Sequence, residues 1–251
     1  MKKNIKTVVK YIITPLIALS LFFGTAFAAV SYDPNTNYMK LMIQAAIKGD
    51  QDALDKAVAC RNAKIESEGL SYDTVSAKEL IKTFESRVGF SLSSDYMTIM
   101  KNAALSGDYT AGREAAQKRN IKISYLDMNY AKWGFDDFVL LCKVIQNEAG
   151  SDWLPMDWKM AVGEVLLNRV ASSKFPNTLY DCVYQPKQYA NKGAYNGMVL
   201  RNGNVAAAVN LLNGKRYFYD PNVLFQAKGI QGPVAKAFYD PYLGTEYFCY
   251  G

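Results

Sequence analysis

The chain has 251 residues, half of them apolar, which is enough for one or two domains with a buried core. It contains no histidine, which excludes Ser-His-Asp and Cys-His catalysis in their usual forms and histidine-ligated zinc. The four cysteines form no C-x-x-C pair, so the sequence predicts no metal site and no cofactor. Acid–base chemistry therefore falls to Asp, Glu, Lys or Tyr.

The first 28 residues have the layout of a secretory signal peptide. Four lysines precede an apolar run, and Ala26, Phe27 and Ala28 form a small-x-small cleavage site. The pattern predicts a secreted protein without stable membrane insertion after cleavage. The alternative, a retained membrane anchor, is less favoured because the run is interrupted by Pro15.

The basic charge of the chain comes mostly from this leader. The whole chain has 29 basic and 23 acidic residues, a net charge of +6. Without the four leader lysines, 25 basic and 23 acidic residues remain, a net charge of +2. This near balance gives no support to a nucleic-acid partner.

Two copies of a 28-residue segment follow, Tyr38–Ile65 and Tyr96–Ile123, with 13 identical positions at an offset of 58 residues. Each copy predicts two helices joined by a tight turn. In the first copy Gly49 suits the left-handed end of one helix, and Asp50 can cap the next. Their counterparts occupy the same places in the second copy.

The stretch between the copies also predicts a helix, because Ser76 and Glu79 have the spacing of a capping box. Residues 29–134 are therefore predicted to form a helical region. Two interpretations remain open for it: a spacer, or a binding or positioning module.

Residues 135–251 predict a second domain of helices followed by a small antiparallel sheet, an α+β fold. Helical periodicity is present in "FVLLCKVIQNEAG" and in Met156–Val170. A short helix is predicted after Pro176-Asn177, and another that ends at Gly214. The predicted strands are Arg216–Pro221, Val223–Ala227, Ala237–Pro241 and Glu246–Tyr250.

A glutamate interrupts the apolar face of the first of these helices. Glu148 shares the face with Leu141, Val144 and Ile145. Burial there, near the negative end of a helix dipole, would raise the pKa of Glu148 and suit it to act as a general acid. The apolar neighbours Val144 and Ile145 are expected to help retain the proton. Alternatively, Glu148 turns outward or pairs with Arg169.

The four cysteines are Cys60, Cys142, Cys182 and Cys249. Export would permit disulfides, and three full pairings exist. If one bridge forms, the positions late in the chain favour Cys182 with Cys249. Cys142 lies in the helical stripe, where a buried thiol is expected.

The segment "NEAGSDWLPMDWKMAVGEVLLNRVASSKFPNTLYDCVYQPKQYA" resembles the cell wall hydrolases typified by spore cortex-lytic enzymes. The shared features are a Glu-Ala helix end, the Leu-Asn-Arg-Val helix, Phe-Pro-Asn-Thr and Val-Tyr-Gln-Pro-x-Gln-aromatic. The resemblance spans about Phe138 to Tyr239 and leaves the repeats outside. One departure is Lys236-Ala237, before Phe238, where relatives often carry a histidine.

The resemblance implies a lysozyme-like fold, a location in the cell wall or spore envelope, and cleavage of peptidoglycan glycan strands between MurNAc and GlcNAc. It places the catalytic acid at Glu148 and favours a lytic transglycosylase, which needs one carboxylate. The alternatives are a hydrolytic muramidase with a second carboxylate, and a non-catalytic wall-binding protein. In each of these three cases, the repeats could add binding to the wall.

Two further candidates lie on the Leu-Asn-Arg-Val helix. Glu164 is the first choice for the second carboxylate of a hydrolase, with a solvated helix face as the alternative. Asn168 could contact sugar, although hydrogen bonds to backbone groups are favoured for it.

Candidate sugar contacts follow in the loop and the sheet. An amide at Gln188 can bond sugar hydroxyls, and the ring of Tyr189 can stack on a pyranose. Tyr184, Phe238 and Tyr239 could do the same, but core packing explains them equally well.

Overall fold

A computed structural model describes residues 30–126 and 133–251 of the chain. The predicted signal peptide lies outside the described residues. The described residues divide into two compact units, one ending at Phe84 and the other beginning at Glu85. The predicted boundary between residues 134 and 135 falls inside the second unit, and that domain division stays a prediction. Across the described part of the chain, no helix is both long and apolar enough to cross a membrane.

The described residues form nine helices and three strands. The helices are α1 Tyr38–Lys48, α2 Gln51–Glu68, α3 Ala77–Val88, α4 Tyr96–Ser106, α5 Tyr109–Ser124, α6 Phe135–Ala149, α7 Met156–Ala171, α8 Leu179–Tyr184 and α9 Asn202–Leu212. The strands are β1 Val223–Ala227, β2 Val234–Asp240 and β3 Gly244–Tyr250. The α+β class predicted from the sequence is confirmed.

The first unit is a helical hairpin covered by α3. Gly49 adopts φ 68° and ends α1, and the side chain of Asp50 accepts a hydrogen bond from Ala53 N at 3.0 Å. Leu54 belongs to the core between α1 and α2. The start of α3 packs on this core through Ala77, Leu80 and Ile81. Burial of these apolar faces is what holds three short helices together.

The second copy repeats this local structure within the second unit. Gly107 adopts φ 76° at the end of α4, and Asp108 caps α5 by accepting from Ala111 N at 3.0 Å. The turn and cap predicted from the repeat are confirmed in both copies. The capping box of α3 is confirmed too, since Ser76 N donates to Glu79 Oε2 at 3.0 Å.

The repeat extends further in the structure than in the sequence alignment. In the first copy the Asn62 side chain donates to Val75 O at 3.1 Å. Fifty-eight residues later the Asn120 side chain donates to Trp133 O at 3.0 Å. Helices α3 and α6 begin at the same offset. Each copy of the repeat therefore contains three helices, and α6 is the third helix of the second copy.

Helices α6, α7 and α9 pack closely because α7 carries a glycine at their meeting point. A Cβ at Gly163 would lie 2.4 Å from Leu211 Cδ1 and 2.9 Å from Ile145 Cδ1, closer than real atoms approach. Leu141, Val144 and Ile145 are completely buried or nearly so on this side of α6. The predicted apolar stripe is thus the face of α6 that packs into the core.

The sheet is antiparallel with strand order β1-β3-β2. Three of the four predicted strands are confirmed, Val223–Ala227 with the predicted ends and the other two with shifted ends, but the strand predicted at Arg216–Pro221 is wrong. The backbone N–H groups of Tyr217, Phe218 and Tyr219 donate to the carboxylate of Glu164 instead of pairing with a neighbouring strand. Tyr219 also adopts φ 53°, which no β-strand contains.

All four cysteines are buried free thiols, so the predicted Cys182–Cys249 bridge is wrong. The Cys182 thiol donates to Pro176 O at 2.9 Å, which keeps its sulfur within its own loop and helix. Burial raises the pKa of Cys142 far above its usual range, as expected of an inert core thiol.

Candidate active site

Glu148 lies on the last turn of α6, one residue before the helix ends. Its side chain is half-buried, and Asn147 Nδ2 donates to its Oε1 at 2.8 Å. The glutamate faces a cavity of about 170 Å³. That cavity is lined by Glu148, Arg169, Lys187, Gln188, Tyr189, Phe225, Gln226 and Gln231. The carboxylate is therefore neither frayed into solvent nor enclosed in the core.

The surroundings of Glu148 differ from the expected ones. Val144 and Ile145 are fully buried in the core and do not line the cavity. The lining is mostly polar and comes from α7, the loop after α8 and β1. The interpretation that these two apolar side chains help to retain the proton of Glu148 stays a prediction.

The pKa of Glu148 is raised above its ordinary value, as the sequence predicted, and burial is the largest cause. The hydrogen bond from Asn147 opposes this shift. The negative charge of Glu246 raises the pKa further, whereas the positive charges of Lys228 and Arg169 lower it. A carboxylic acid whose pKa lies closer to neutrality is better suited to donate a proton.

Arg169 builds the wall of the cavity. It is 4 % exposed, and its Nε donates to Leu224 O at 2.6 Å while Nη1 donates to Gln188 Oε1 at 2.8 Å. Its guanidinium also stacks near the rings of Tyr189 and Phe225, at 5.0 and 5.9 Å. The sequence had suggested Arg169 only as a partner of Glu148; the structure makes it the residue that joins α7, the loop and β1.

Gln188 and Tyr189, the two sugar-contact candidates from the loop, lie in the same cavity as Glu148. Because Arg169 occupies the side-chain oxygen of Gln188, its amide nitrogen is the group able to donate to a ligand. In the described part of the chain, the Tyr189 hydroxyl and both amide atoms of Gln226 are buried without a hydrogen-bond partner. Unpaired buried polar groups are costly, and a bound polar ligand would satisfy them.

Tyr195 is a neighbour of the site that sequence reasoning missed. It is 3 % exposed, and its hydroxyl is buried with no hydrogen-bond partner among the residues described. Burial raises the pKa of Tyr195, and Glu148 adds to that shift. Its ring contacts that of Tyr184, a candidate sugar contact that is half-buried and does not line the cavity.

Glu164 is a structural carboxylate. It is 1 % exposed, so the alternative of a solvated helix face is wrong. Its oxygens accept the N–H groups of three consecutive residues, Phe218 and Tyr219 at 3.0 Å and Tyr217 beside them. Glu164 does not line the Glu148 cavity. These bonds fix the chain before β1 and leave the carboxylate poorly placed to activate water.

The remaining candidates are placed away from the cavity. Asn168 donates to Asp220 O at 3.0 Å and Val223 O at 3.1 Å, as its backbone-bonding alternative predicted. Phe238 stacks on Trp158 at 5.3 Å, which favours core packing over sugar contact. Tyr239 is 74 % exposed, and strand alternation puts it on the opposite face of β2 from Phe238.

A buried lysine holds the end of α6 beside Glu148. Lys159 is 4 % exposed, and its Nζ donates to Ala149 O at 2.5 Å, Ser151 O at 2.8 Å and Asn204 Oδ1 at 2.9 Å. Burial lowers its pKa. A cation on the last carbonyls of a helix satisfies groups that the helix itself leaves unpaired. Lys159 therefore fixes the turn that follows Glu148.

In residues 30–126 and 133–251, no group of three or more His, Cys, Asp or Glu side chains could hold a metal ion.

Comparison with known proteins finds one family match. Residues 155–232 match the family model described as cell wall hydrolase, which confirms the resemblance seen in the sequence. Glu148 lies seven residues before the matched range. No curated protein and no solved structure gives a significant match to the chain.

Proposed function

We propose that the protein cleaves the glycan strand of peptidoglycan between MurNAc and GlcNAc, as a lytic transglycosylase with Glu148 as its catalytic residue. The cell wall hydrolase match supports the wall as the target. The observation that carries the proposal is Glu148 itself: a half-buried carboxylic acid with a raised pKa, facing a cavity with unpaired polar groups.

The proposed reaction uses one carboxyl group twice. Protonated Glu148 gives its proton to the glycosidic oxygen, the bond from C1 of MurNAc to that oxygen breaks, and GlcNAc leaves with a free hydroxyl. The resulting carboxylate then takes the proton of the muramoyl 6-hydroxyl, and O6 bonds to C1. A 1,6-anhydro ring forms, no water is consumed, and Glu148 is protonated again.

The placement of the other carboxylates supports this route over the hydrolytic one. Glu164 is engaged by three backbone N–H groups. The carboxylate that influences Glu148 is Glu246, and its side chain is 12 % exposed and paired with Lys228 at 3.1 Å. A muramidase that uses Glu246 as its second carboxylate is the alternative, favoured by that electrostatic contact alone.

The proposal is tested first with Glu148→Gln, which keeps the shape of the side chain but removes the proton. The variant should still bind wall polymer, while the release of soluble fragments falls by about 10²–10⁴-fold, the usual contribution of a general acid. Asp157→Asn, the same kind of change at an exposed position on α7, is the matched control and should behave like the parent. A Glu148→Gln protein that clears wall suspensions as fast as the parent would show that the acid is elsewhere.

Mass spectrometry of the released fragments separates the two routes. Anhydro-muramoyl ends are expected from the transglycosylase, whereas reducing ends would identify a muramidase. A parent protein that binds wall but releases no fragments from vegetative wall or spore cortex would support the remaining alternative, a non-catalytic wall-binding protein.

We extend the proposal to location and partners. A secreted protein of the cell wall or spore envelope follows from the leader sequence and the family match. The first helical copy is proposed to add binding to the wall polymer. Deletion of residues 30–84 should then weaken sedimentation with insoluble wall while leaving cleavage of soluble glycan strands unchanged.

A further inference from the structure

Two exposed aromatic rings contact each other, one on the loop after α6 and the other on the turn between β2 and β3. Trp153 is 64 % exposed and Tyr242 is 85 % exposed, and their ring centroids are 6.4 Å apart. Leu154, the next residue after Trp153, is buried at 4 % exposure. The loop thus turns the larger ring outward although an apolar interior is within reach. Large apolar side chains exposed together commonly mark a binding surface.

Asp240 accepts hydrogen bonds from both segments that carry these rings. This residue is 8 % exposed, and its Oδ2 accepts the indole N–H of Trp153 at 3.0 Å. Its Oδ1 accepts the backbone N–H groups of Tyr242 and Leu243, each at 2.9 Å. A nearly buried carboxylate therefore fixes the indole of Trp153 and the backbone of the turn that carries Tyr242.

The turn that carries Tyr242 is linked to Glu148 through Lys228 and Glu246. Lys228 donates to Leu243 O at 2.9 Å, in the turn that carries Tyr242, and pairs with Glu246 at 3.1 Å. Both Lys228 and Glu246 act on Glu148. Along β3, Gly244 at the turn lies roughly 7 Å from Glu246, at about 3.3 Å per residue. Trp153 itself follows Glu148 by five residues.

The cavity of Glu148 is too small to bind a polymer by itself. At about 170 Å³ it is smaller than the roughly 300–1,000 Å³ of typical small-molecule pockets. A polymer cleaved at Glu148 must extend beyond it in at least one direction. The face of a sugar ring presents C–H groups that pack on aromatic faces, while its hydroxyls stay in water.

From these observations we propose that Trp153 and Tyr242 form an aromatic platform that binds a sugar ring of the same glycan strand, outside the cavity of Glu148. The proposal rests on the proposed function, because it takes the glycan strand as the occupant. The platform supplies affinity for long strands and takes no part in bond cleavage.

The test is a binding titration in the Glu148→Gln protein, which separates affinity from turnover. The probes are soluble glycan strands freed of stem peptides, in a long fraction and in a disaccharide fraction that can fill the cavity alone. Trp153→Ala combined with Tyr242→Ala should weaken binding of long strands about tenfold, equivalent to loss of about 1.4 kcal/mol of stacking, and leave disaccharide binding unchanged.

Tyr242→Ala alone gives an independent check, because a ring that is 85 % exposed can be removed without unfolding the chain. It should weaken binding of long strands severalfold. Tyr219→Ala is the matched control, since Tyr219 is 74 % exposed on the loop before β1. Binding by the control should equal that of the Glu148→Gln protein.

Equal binding of long strands with and without the platform would overturn the proposal while leaving the proposed function standing. Equal losses for both fractions would overturn it as well, because the rings would then belong to the cavity. A parent that neither binds nor cleaves any glycan fraction would reject the proposed function, and the sugar-binding platform with it.

Discussion

Both copies of the repeat consist of three helices in the same order. They differ in residue size at one position of the second helix and one position of the third helix. In the first copy Leu54 lies in the core and α3 begins with the small Ala77. Fifty-eight residues later the sizes are exchanged, because Gly112 faces Phe135 at the start of α6. At these two positions each copy has one large and one small residue, and the second copy has them in exchanged places.

The third helices differ more at their ends than at their starts. Helix α3 stops at Val88 and is followed by Gly89 at φ 74°. Helix α6 continues to Ala149, where Lys159 holds its last carbonyl. The position equivalent to Glu148 is Phe90, a buried ring. The comparison teaches that the repeat determines where the helix begins, and that contacts from later in the chain determine where it ends and what its end can do.

The largest effect is expected from Gly112→Leu, which places the first-copy residue opposite Phe135. Even a Cβ at Gly112 would lie 2.2 Å from Phe135 Cζ, so the ring or the helix must move. We expect a loss of about 3 kcal/mol in the free energy of unfolding, at the upper end of typical overpacking costs, with loss of activity. Urea unfolding followed by circular dichroism measures this.

The double variant Gly112→Leu/Phe135→Ala restores the first-copy pair and is the control. It should recover at least half of the lost stability, because the large residue again faces a small one. If the double variant is less stable than Gly112→Leu alone, the size exchange does not explain how the two copies pack.

The helix ends show what the sequence could predict and what it could not. Gly49, Asp50 and the Ser76–Glu79 box were predictable because each cap is formed by residues within a few positions of one another. Glu148 was predictable at a helix end, together with its raised pKa. The cavity beside it was not, because the other lining residues come from 21 to 83 positions later in the chain.

Glu164 illustrates the limit most clearly. Helical periodicity places it on α7 but cannot show that the N–H groups of the chain before β1 will converge on it from more than 50 residues away. The same bonds explain why the aromatic run at Arg216–Pro221 is not a strand. Patterns of β-branched and aromatic residues indicate a tendency, and a buried hydrogen-bond acceptor overrides it.

An intermediate effect is expected from Lys159→Met, which removes the cation at the end of α6. The oxygens of Ala149, Ser151 and Asn204 lose a donor, which should cost about 1–3 kcal/mol of stability. Because Glu148 is next to Ala149, we also expect kcat to fall about tenfold or more.

Urea unfolding and initial rates on wall suspensions measure both effects. Lys174→Met, at an exposed lysine, is the matched control and should leave both quantities unchanged. A Lys159→Met protein with parental stability but reduced kcat would point to a direct catalytic role. Parental values for both would show that the end of α6 does not need this cation.

The smallest expected effect concerns charge at the position where the first copy has Phe90 and the second has Glu148. If protonated Glu148 is the acid, the rate is constant at low pH and falls as pH rises through its raised pKa. Glu246→Gln removes a negative charge that raises this pKa, so the alkaline limb of the pH–rate profile should move to lower pH. Lys228→Met removes a positive charge that lowers it, so the limb should move to higher pH.

Both variants should keep most of the plateau rate, since neither side chain donates the proton in the proposed reaction. Rates on soluble glycan strands across the pH range measure limb and plateau separately. Glu246→Gln with a plateau reduced a hundredfold or more would instead identify Glu246 as the second carboxylate of a muramidase. If the alkaline limb moves in the same direction in Glu246→Gln and Lys228→Met, the pKa observed in the rate belongs to a group other than Glu148. The difference between Phe90 and Glu148 would then not explain the activity.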